Sequence, residues 1–276
     1  MPRDSRQPIA VICALADELV HLREALPPGR EEWHGNRCVW HTELDGQPIV
    51  LALCGIGMLS AAAVAEAVIA HYEPAAIFNF GCTGAHRRDL LPGDMVIGAR
   101  VVAYDSVTQD ADGSEAFLGM RYLRRGVQET ALFFAADPAL LDRAVRVAAT
   151  LEGQHEPWPI GVEWPDEVPH RSPILVVGTV ASADRWNRMP ARIEALVRLH
   201  DSHCEDMEAG AIALICASHD VPFLTVKDIS NNELLKTTDG GAEFLAQFRD
   251  QLGRRAGAVV LGILRDLAAG PAPLLR

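Results

Sequence analysis

Short apolar runs rich in valine and isoleucine alternate along the chain with alanine-rich segments of helical spacing. The apolar runs are typical of buried strands and occupy residues 9–15, 48–55, 75–82, 94–105, 173–180 and 222–230. The segments with helical spacing lie at residues 58–72, 138–152, 207–220 and 241–268. Strands that alternate with helices indicate a layered α/β fold with a largely parallel sheet. Ligands of such folds gather at the carboxyl ends of the strands, so the residues after each run are the candidates for a site.

One stretch interrupts this alternation. Residues 153–172 contain four prolines and two tryptophans and show no usable periodicity. A long segment of this kind is expected to form a surface excursion. The rest of the chain shows no internal repeat, so we expect one domain over residues 1–276.

Composition narrows the class of protein. The chain has 276 residues, 49% of them hydrophobic and 22% charged, and its formal net charge is −12. It has no apolar run of 18 residues and no signal-peptide cleavage pattern, which predicts a cytoplasmic protein that does not enter a membrane. Its acidity disfavours nucleic-acid binding, which uses Lys and Arg against phosphates. A small-molecule substrate fits better.

The cysteines and histidines do not indicate a metal site. The six cysteines are scattered without a C-x-x-C pair, and the ten histidines include no H-E-x-x-H motif. The sequence therefore predicts neither a disulfide framework nor a metal centre.

Glycines mark two of the predicted strand ends. Gly55 and Gly57 lie where the second run meets a helix, but Ser60 stands where a dinucleotide-binding motif has its third glycine. Gly81 and Gly84 follow the third run. Each pair lets the backbone approach a ligand, and each is equally compatible with a tight turn.

Carboxylates gather at two predicted helix starts. Asp17 and Glu18 fall in the first turn after the first strand, where the helix dipole alone favours acids. Glu205, Asp206 and Glu208 surround Met207 before an almost wholly apolar helix. Dipole compensation does not readily account for Glu208. A buried carboxylate needs hydrogen-bond donors, and a pair of sugar hydroxyls would serve.

Taken in order, these pieces resemble the nucleoside phosphorylase and nucleosidase superfamily, in particular its methylthioadenosine/S-adenosylhomocysteine nucleosidases and futalosine hydrolases. The matching segments are IAVICALADEL, CGIGMLSAAAVAEAVI, FNFGCTGA, LLPGDMVIG, DMEAGAIALICASHDVPFLTVKDISN and, more loosely, GTVASADRW. The resemblance implies a three-layer α/β/α sandwich with a central mixed, largely parallel sheet. It also implies a homodimer and an enzyme without a cofactor.

The resemblance also assigns roles to single residues. Glu18 matches the acid that activates the attacking water, and Glu208 with Met207 matches the residues that hold and pack on the ribose. Trp186 falls where relatives stack an aromatic ring on the purine. The further residues expected at the substrate are Gly57, Cys82, Thr83, Gly84, Asp206 and Lys227, of which Lys227 replaces a common arginine and Cys82 and Thr83 occupy a position near the ribose.

The nucleophile is expected to be water. Phosphorylases of this superfamily place arginines after the first strand and before the glycine loop, where this chain has Asp17, Glu18 and Asn79. Acids beside a phosphate in a poorly solvated pocket are repulsive. Arg87 and Arg88 lie close to the loop, so phosphorolysis stays open as an alternative.

Asn231 bears on the choice of base. Relatives that cleave adenine nucleosides have Asp there, whereas two amide N–H donors match the N7 and O6 acceptors of a 6-oxopurine. We therefore expect a purine nucleosidase for an inosine-like or futalosine-like nucleoside, with Asn231 at the leaving base. The alternatives are a methylthioadenosine/S-adenosylhomocysteine nucleosidase and a non-catalytic nucleoside-binding relative, and Asn231 is also compatible with a turn or cap.

Overall fold

The computed structural model describes residues 7–151, 153, 171–235 and 249–270. Its strands are β1 Ile9–Cys13, β2 Arg30–His34, β3 Arg37–Leu44, β4 Gln47–Leu53, β5 Ala76–Ala85, β6 Met95–Ala103, β7 Val107–Gln109, β8 Glu115–Phe117, β9 Met120–Arg124, β10 Val127–Ala131, β11 Phe134–Ala135, β12 Leu175–Ser182, β13 Ser202–Asp206 and β14 Phe223–Asn231. Its helices are α1 Ala16–Ala25, α2 Met58–Tyr72, α3 Pro138–Leu151, α4 Pro190–His200, α5 Ala209–Ser218 and α6 Arg254–Ala269.

One mixed sheet organises these elements. β1 lies between β4 and β5 and runs parallel to both, while β2 and β3 continue the sheet antiparallel beyond β4. On the other side, β5 pairs with both β14 and β13, β14 pairs with β6, and β12 joins β6 to β13. These five strands therefore close into a ring. The predicted α/β architecture with a mixed central sheet is confirmed.

Alternating side chains of β1 separate the two apolar layers. Ile9, Val11 and Cys13 pack in one cluster with residues of α1, α3 and α6. Ala10 and Ile12 point to the opposite face and pack with residues of α2 and α5. This two-residue alternation of buried side chains is what a strand covered by helices on both faces requires.

The sequence pattern located the buried elements best. Each predicted strand overlaps a strand of the sheet, and the helix predicted at 58–72 coincides with α2. The pattern did not reveal β2, β3 or β13. β2 is mostly exposed at the sheet edge, and β13 is the polar segment SHCED, so neither forms an apolar run.

Three predictions fall wholly or partly outside the described residues. Of the helix predicted at 241–268, residues 241–248 lie outside them, and α6 begins only at Arg254. Gly253, directly before α6, has a φ of 70°. This left-handed conformation is not helical, so α6 cannot begin before Arg254. Most of the excursion predicted at 153–172 lies outside the described residues, and a single domain stays a prediction. No helix within the described ranges is long and apolar enough to cross a membrane.

Candidate active site

A cavity opens where the ring of strands ends. In the sheet register Gly84 of β5 pairs with Glu205 of β13 on one side and with Asn231 of β14 on the other. Closure of the ring therefore gathers residues that lie far apart in the sequence. Nine of the eleven predicted site residues line this cavity, namely Glu18, Cys82, Thr83, Gly84, Trp186, Asp206, Met207, Glu208 and Asn231.

Glu18 is held at the cavity wall by main-chain donors. Its side chain is buried in the first turn of α1. Oε2 accepts a hydrogen bond from the Leu15 N–H at 3.0 Å, and Oε1 accepts one from the Cys82 N–H at 2.8 Å. Gly81 leaves room for this contact, since a Cβ there would lie 2.6 Å from Oε1. The two strand ends thus fix the orientation of the carboxylate.

The neighbouring acid has a different role. The Asp17 side chain is 47% exposed, and its Oδ2 lies 3.9 Å from Arg249 Nε. Its favourable interaction with the helix dipole is therefore enough to explain an acid at this position in the first turn. Of the two acids at this helix start, only Glu18 enters the cavity.

Glu208 closes the other acidic wall of the cavity. It is the residue before α5, and its Oε1 accepts a hydrogen bond from the Gly57 N–H at 2.9 Å. Burial and the nearby charge of Asp206 raise its pKa to about 7, while Lys227 opposes the increase. The charge of Glu18 acts in the same direction as Asp206, so the two glutamates share one electrostatic environment.

The sequence predicted that the acidic stretch at 205–208 lies at the start of a helix, and this prediction is wrong. Glu205 and Asp206 end strand β13, and α5 starts only at Ala209. Asp206 Oδ2 accepts a hydrogen bond from the Ala209 N–H at 2.9 Å and so caps the helix from the strand. The change from strand to helix points the side chains of this stretch in different directions.

Lys227 and Gly57 lie behind the cavity wall instead of lining it. The Lys227 Nζ is 2.7 Å from Asp206 Oδ2, and both side chains are buried. Burial by itself would lower the pKa of Lys227, but the charges of Asp206 and Glu208 raise it above its ordinary value. The predicted contact of Lys227 with substrate is therefore replaced by a contact with Asp206, and Gly57 contacts Glu208.

Asp228, the next residue of β14, is directed to the opposite face. It accepts hydrogen bonds from the N–H groups of Gly253 and Arg255, each at 3.2 Å, at the start of α6. Burial raises its pKa to about 6, while Arg255 opposes the increase. The unusual acid inside this strand thus fastens a helix.

Asn231 presents its amide to the cavity between two side-chain partners. Oδ1 accepts a hydrogen bond from the Ser230 hydroxyl at 2.9 Å, and Nδ2 donates one to Glu233 Oε1 at 3.1 Å. One of its two N–H groups is therefore engaged. Both N–H groups were expected to face the ligand, whereas this arrangement leaves one for it.

Glu205 is a wall residue that the sequence analysis did not assign to the site. Oε1 accepts a hydrogen bond from the Asn187 main-chain N–H at 2.7 Å. Oε2 accepts bonds from Asn187 Nδ2 at 2.5 Å and from the Tyr104 hydroxyl at 3.2 Å. The other lining residues missed are Ala14, Leu15, Ile56, Arg185 and Ser230. The strand register was needed to find them.

The loop that carries Trp186 is anchored on both sides. Asp184 Oδ1 accepts a hydrogen bond from the Met58 N–H at 2.7 Å at the start of α2, and Asn187 binds Glu205. Trp186 lies between these anchors and is 40% exposed at the cavity. An aromatic face is therefore available to a ligand at the open side.

The cations near the glycine loop do not line the cavity. Arg87 forms an ion pair with Asp201, and Arg88 donates to the Leu234 carbonyl at 2.9 Å. Glu208 and Asp184 already accept from the N–H groups at the start of α2. Among the described residues, Arg185 is the only Lys or Arg that lines the cavity. In the same part of the chain, no group of three or more His, Cys, Asp or Glu is placed to hold a metal ion.

Comparisons of the sequence with a family model and with single proteins agree on one family. The chain matches the model described as the phosphorylase superfamily over residues 8–265. It is 28% identical to the 5′-methylthioadenosine/S-adenosylhomocysteine nucleosidase of Geobacillus kaustophilus over 257 residues, which cover 92% of this chain and 95% of that protein. It is also 28% identical to the nucleosidase of the same description from Anoxybacillus flavithermus over 224 residues, 81% of this chain and 84% of that one.

Solved structures resemble the whole fold. The 5′-methylthioadenosine/S-adenosylhomocysteine nucleosidase of Neisseria meningitidis, in complex with methylthio-immucillin-A, has a TM-score of 0.74 and 25% identity, covering 95% of this chain and all of the other. The futalosine hydrolase of Helicobacter pylori has a TM-score of 0.75 and 19% identity, covering 95% and 98%. At that identity, the second likeness concerns the fold alone.

Proposed function

The chain belongs to the phosphorylase superfamily, and we propose that it is a purine nucleosidase, an N-glycosyl hydrolase that cleaves a purine nucleoside with water. The observation that carries this proposal is the convergence of Glu18 and Glu208 on one cavity that Asn231 also lines. We call Glu18, Asp206 and Glu208 the sugar-side wall. We call Gly84, Glu205, Ser230 and Asn231 the base-side wall.

Glu18 is the base that activates the water. Two main-chain N–H groups hold its carboxylate, so one of its oxygens can accept the proton of a water that attacks the anomeric carbon. The bond from that carbon to the purine nitrogen breaks, and the bonding electrons leave with the purine. Positive charge then develops on the sugar, where the sugar-side carboxylates stabilise it.

Glu208 and Asn231 act at the two ends of the breaking bond. Glu208 Oε1 is held by Gly57, which leaves Oε2 for a ribose hydroxyl, and Met207 beside it packs against the sugar. On the other side, Asn231 donates its remaining N–H to N7 of the departing purine. This hydrogen bond strengthens as negative charge builds on the base, which is the requirement for lowering the barrier.

Hydrolysis is favoured over phosphorolysis by the charge of the cavity. A phosphate would lie beside Glu18, Asp206 and Glu208 in a largely buried site, where like charges repel strongly. The start of α2, a natural anion site, is already occupied by carboxylates. Arg87 and Arg88 are engaged elsewhere, which removes the sequence-based argument for phosphate.

The relatives favour adenine nucleosides, and we therefore take 5′-methylthioadenosine and S-adenosylhomocysteine as the first substrate class. This is the alternative of the sequence analysis and is better supported than its first choice, a 6-oxopurine nucleoside. Asn231 accommodates adenine when Nδ2 donates to N7 and Oδ1 accepts from the 6-amino group. A 6-oxopurine nucleoside is the second candidate, because the N–H that Glu233 leaves free can donate to N7 without any protonation of the Asn231 side chain.

A homodimer would complete the open side of the cavity. Ile56 lines the cavity and is 59% exposed. Leu59, three positions after Ile56, is 84% exposed, and Met189, three positions after the cavity residue Trp186, is 69% exposed. A contiguous patch of exposed apolar side chains marks an interaction surface, and we propose such a patch at the rim of the cavity. Sedimentation equilibrium of the wild type and of Leu59→Glu tests this: a dimer that dissociates in the variant is expected, and a monomeric wild type would contradict it.

Chromatographic detection of free base tests the proposed function. The protein is incubated with 5′-methylthioadenosine, S-adenosylhomocysteine, inosine and futalosine, each with and without phosphate, beside the Glu18→Gln variant. We expect base release without phosphate by the wild type only. Release that requires phosphate would contradict hydrolysis, and binding without release would favour a nucleoside-binding protein.

A further inference from the structure

Glu205 is a buried charged group of the cavity wall that the proposed mechanism does not use. Its side chain is 6% exposed, yet it lines the cavity together with Asn231. Burying a carboxylate is costly unless donors surround it. The position at the end of β13 therefore calls for an explanation beyond packing.

The carboxylate has capacity for one more donor on one of its oxygens. Oε2 already accepts from Tyr104 and from the Asn187 side chain, and His86 Nε2 lies 3.3 Å from it. Oε1 accepts one bond, from the Asn187 main chain. Since each carboxylate oxygen accepts about two hydrogen bonds, Oε1 retains a site for a donor from the cavity.

The sheet places Glu205 across Gly84 from Asn231. Glu205 and Asn231 are the register partners of Gly84 on its two sides, so two strand spacings, about 10 Å in all, separate their backbones. Gly84 between them has no side chain to fill the gap, and a Cβ there would lie 3.4 Å from Asn231 Nδ2. The spacing between the two backbones would let a flat heterocycle lie over Gly84 with one edge at each of the two side chains.

We infer that Glu205 is a specificity-determining residue that reads position 1 of the purine, an inference that rests on the proposed function. When Asn231 holds N7, the six-membered ring extends toward Glu205. A 6-oxopurine carries a hydrogen on N1, which the carboxylate accepts, whereas N1 of adenine is itself an acceptor and faces the carboxylate unfavourably. Glu205 thus raises the rate for the second substrate class proposed above, purines with a hydrogen on N1, relative to the rate for the adenine nucleosides, whichever 5′ group is bound.

The closing experiment compares 5′-methylthioinosine with 5′-methylthioadenosine, which differ only at the purine edge. For Glu205→Gln we expect the kcat/KM ratio of the inosine to the adenosine compound to fall about tenfold or more, because the charge is lost while an oxygen acceptor for Asn187 is kept. Tyr104→Phe is the matched control. It removes one donor to the same carboxylate but not the charge, so both substrates should change by the same factor.

A purely loop-holding role for Glu205 would lower both rates equally in Glu205→Gln, and that result would overturn the inference. The wild type also provides a test that needs no variant. Calorimetry should show 1-deazaadenine, whose ring carries C–H in place of N1, binding about tenfold more tightly than adenine. Equal affinity for the two bases would overturn the inference. If no nucleoside is cleaved, the proposed function fails, while this binding comparison still tests Glu205.

Discussion

The two walls of the cavity are built by different means. On the sugar-side wall, Glu18 and Glu208 accept hydrogen bonds from main-chain N–H groups at 2.8–3.0 Å. On the base-side wall, the Asn231 amide is oriented by the side chains of Ser230 and Glu233. The first wall is fixed by where strands end and helices begin, and the second by the identity of neighbouring side chains.

This difference separates what the fold determines from what substitution can tune. Any chain with these strand ends supplies the same main-chain donors, so a carboxylate at position 18 or 208 is oriented by the architecture itself. The amide of Asn231 depends on the side chains of Ser230 and Glu233, and Oε2 of Glu205 depends on those of Asn187 and Tyr104, each of which a single mutation can change. Glu205 Oε1, in contrast, is held by a main-chain N–H. We therefore expect reaction type to follow the sugar-side wall and base preference to follow the base-side wall.

Removing the charge of Glu18 gives the largest expected effect. Glu18→Gln should lower kcat about a thousandfold, because an amide cannot take a proton from water, while the affinity for the free base changes little. Single-turnover kinetics with 5′-methylthioadenosine and calorimetry with adenine measure the two quantities. Asp17→Asn is the matched control and should stay near wild-type rates, since Asp17 does not line the cavity. A Glu18→Gln enzyme with near-normal turnover would remove Glu18 from the mechanism.

Displacing Glu18 without changing it is the next test of the sugar-side wall. In Gly81→Ala the new Cβ would lie 2.6 Å from Glu18 Oε1, so the carboxylate must move. We expect kcat/KM to fall about a hundredfold, which is the loss that a displacement of about 1 Å can cause in an active site. Gly35→Ala is the control: Gly35 also has a positive φ, 65°, but nothing lies within 4 Å of its Cβ position. Comparable losses in both variants would assign the effect to backbone strain.

How far the sequence predicts the site follows the same division. Glu18 and Glu208 could be found because acids next to apolar runs stand out, and because the resemblance assigned them roles. Glu205 was noticed as an acid but not placed on the wall, since its role depends on antiparallel pairing with Gly84. Short-range patterns do not reveal pairing between residues 121 positions apart. Lys227 was misplaced for a similar reason: its partner Asp206 is visible only in three dimensions.

Elements with a buried apolar run were predicted best, and polar elements worst. α2 was located to the residue, whereas β13 carries Asp and Glu in a strand that the cavity needs polar. A strand end that lines a polar site lacks the apolar pattern by which strands are recognised. For the same reason, the helix was predicted to begin at residue 207, directly after β13, whereas α5 begins at Ala209.

Exchanging the amide of Asn231 for a carboxyl sharpens the contrast between the walls. Asn231→Asp should raise the kcat/KM ratio of 5′-methylthioadenosine to 5′-methylthioinosine about tenfold. Glu233 Oε1, 3.1 Å from Asn231 Nδ2, favours the protonated form of an Asp there, which then donates to N7 while its other oxygen accepts from the 6-amino group. Steady-state kinetics with the two nucleosides measures the ratio. An unchanged ratio would contradict a role of Asn231 in base selection.

The smallest expected effect is on stability and involves Glu208 in the ligand-free protein. Burial raises the pKa of Glu208 from 4.5 to about 7, so between these pH values the folded state binds the proton more tightly than the unfolded chain. The contribution of this group to the free energy of unfolding is therefore greatest below pH 4.5 and falls as the pH rises through 7, by about 3 kcal/mol in total.

Urea unfolding at pH 5 and pH 8 measures this contribution as the difference between the wild type and Glu208→Gln. Asp228, whose pKa is also raised, to about 6, contributes with the same sign but is present in both proteins and cancels. The wild type should lose about 2 kcal/mol more than the variant between the two pH values. The Gly57 N–H can donate to Glu208 whether or not the side chain is charged. Equal losses in the two proteins would therefore mean that the ionised form of Glu208 costs no folding free energy. The two walls would then differ in geometry alone.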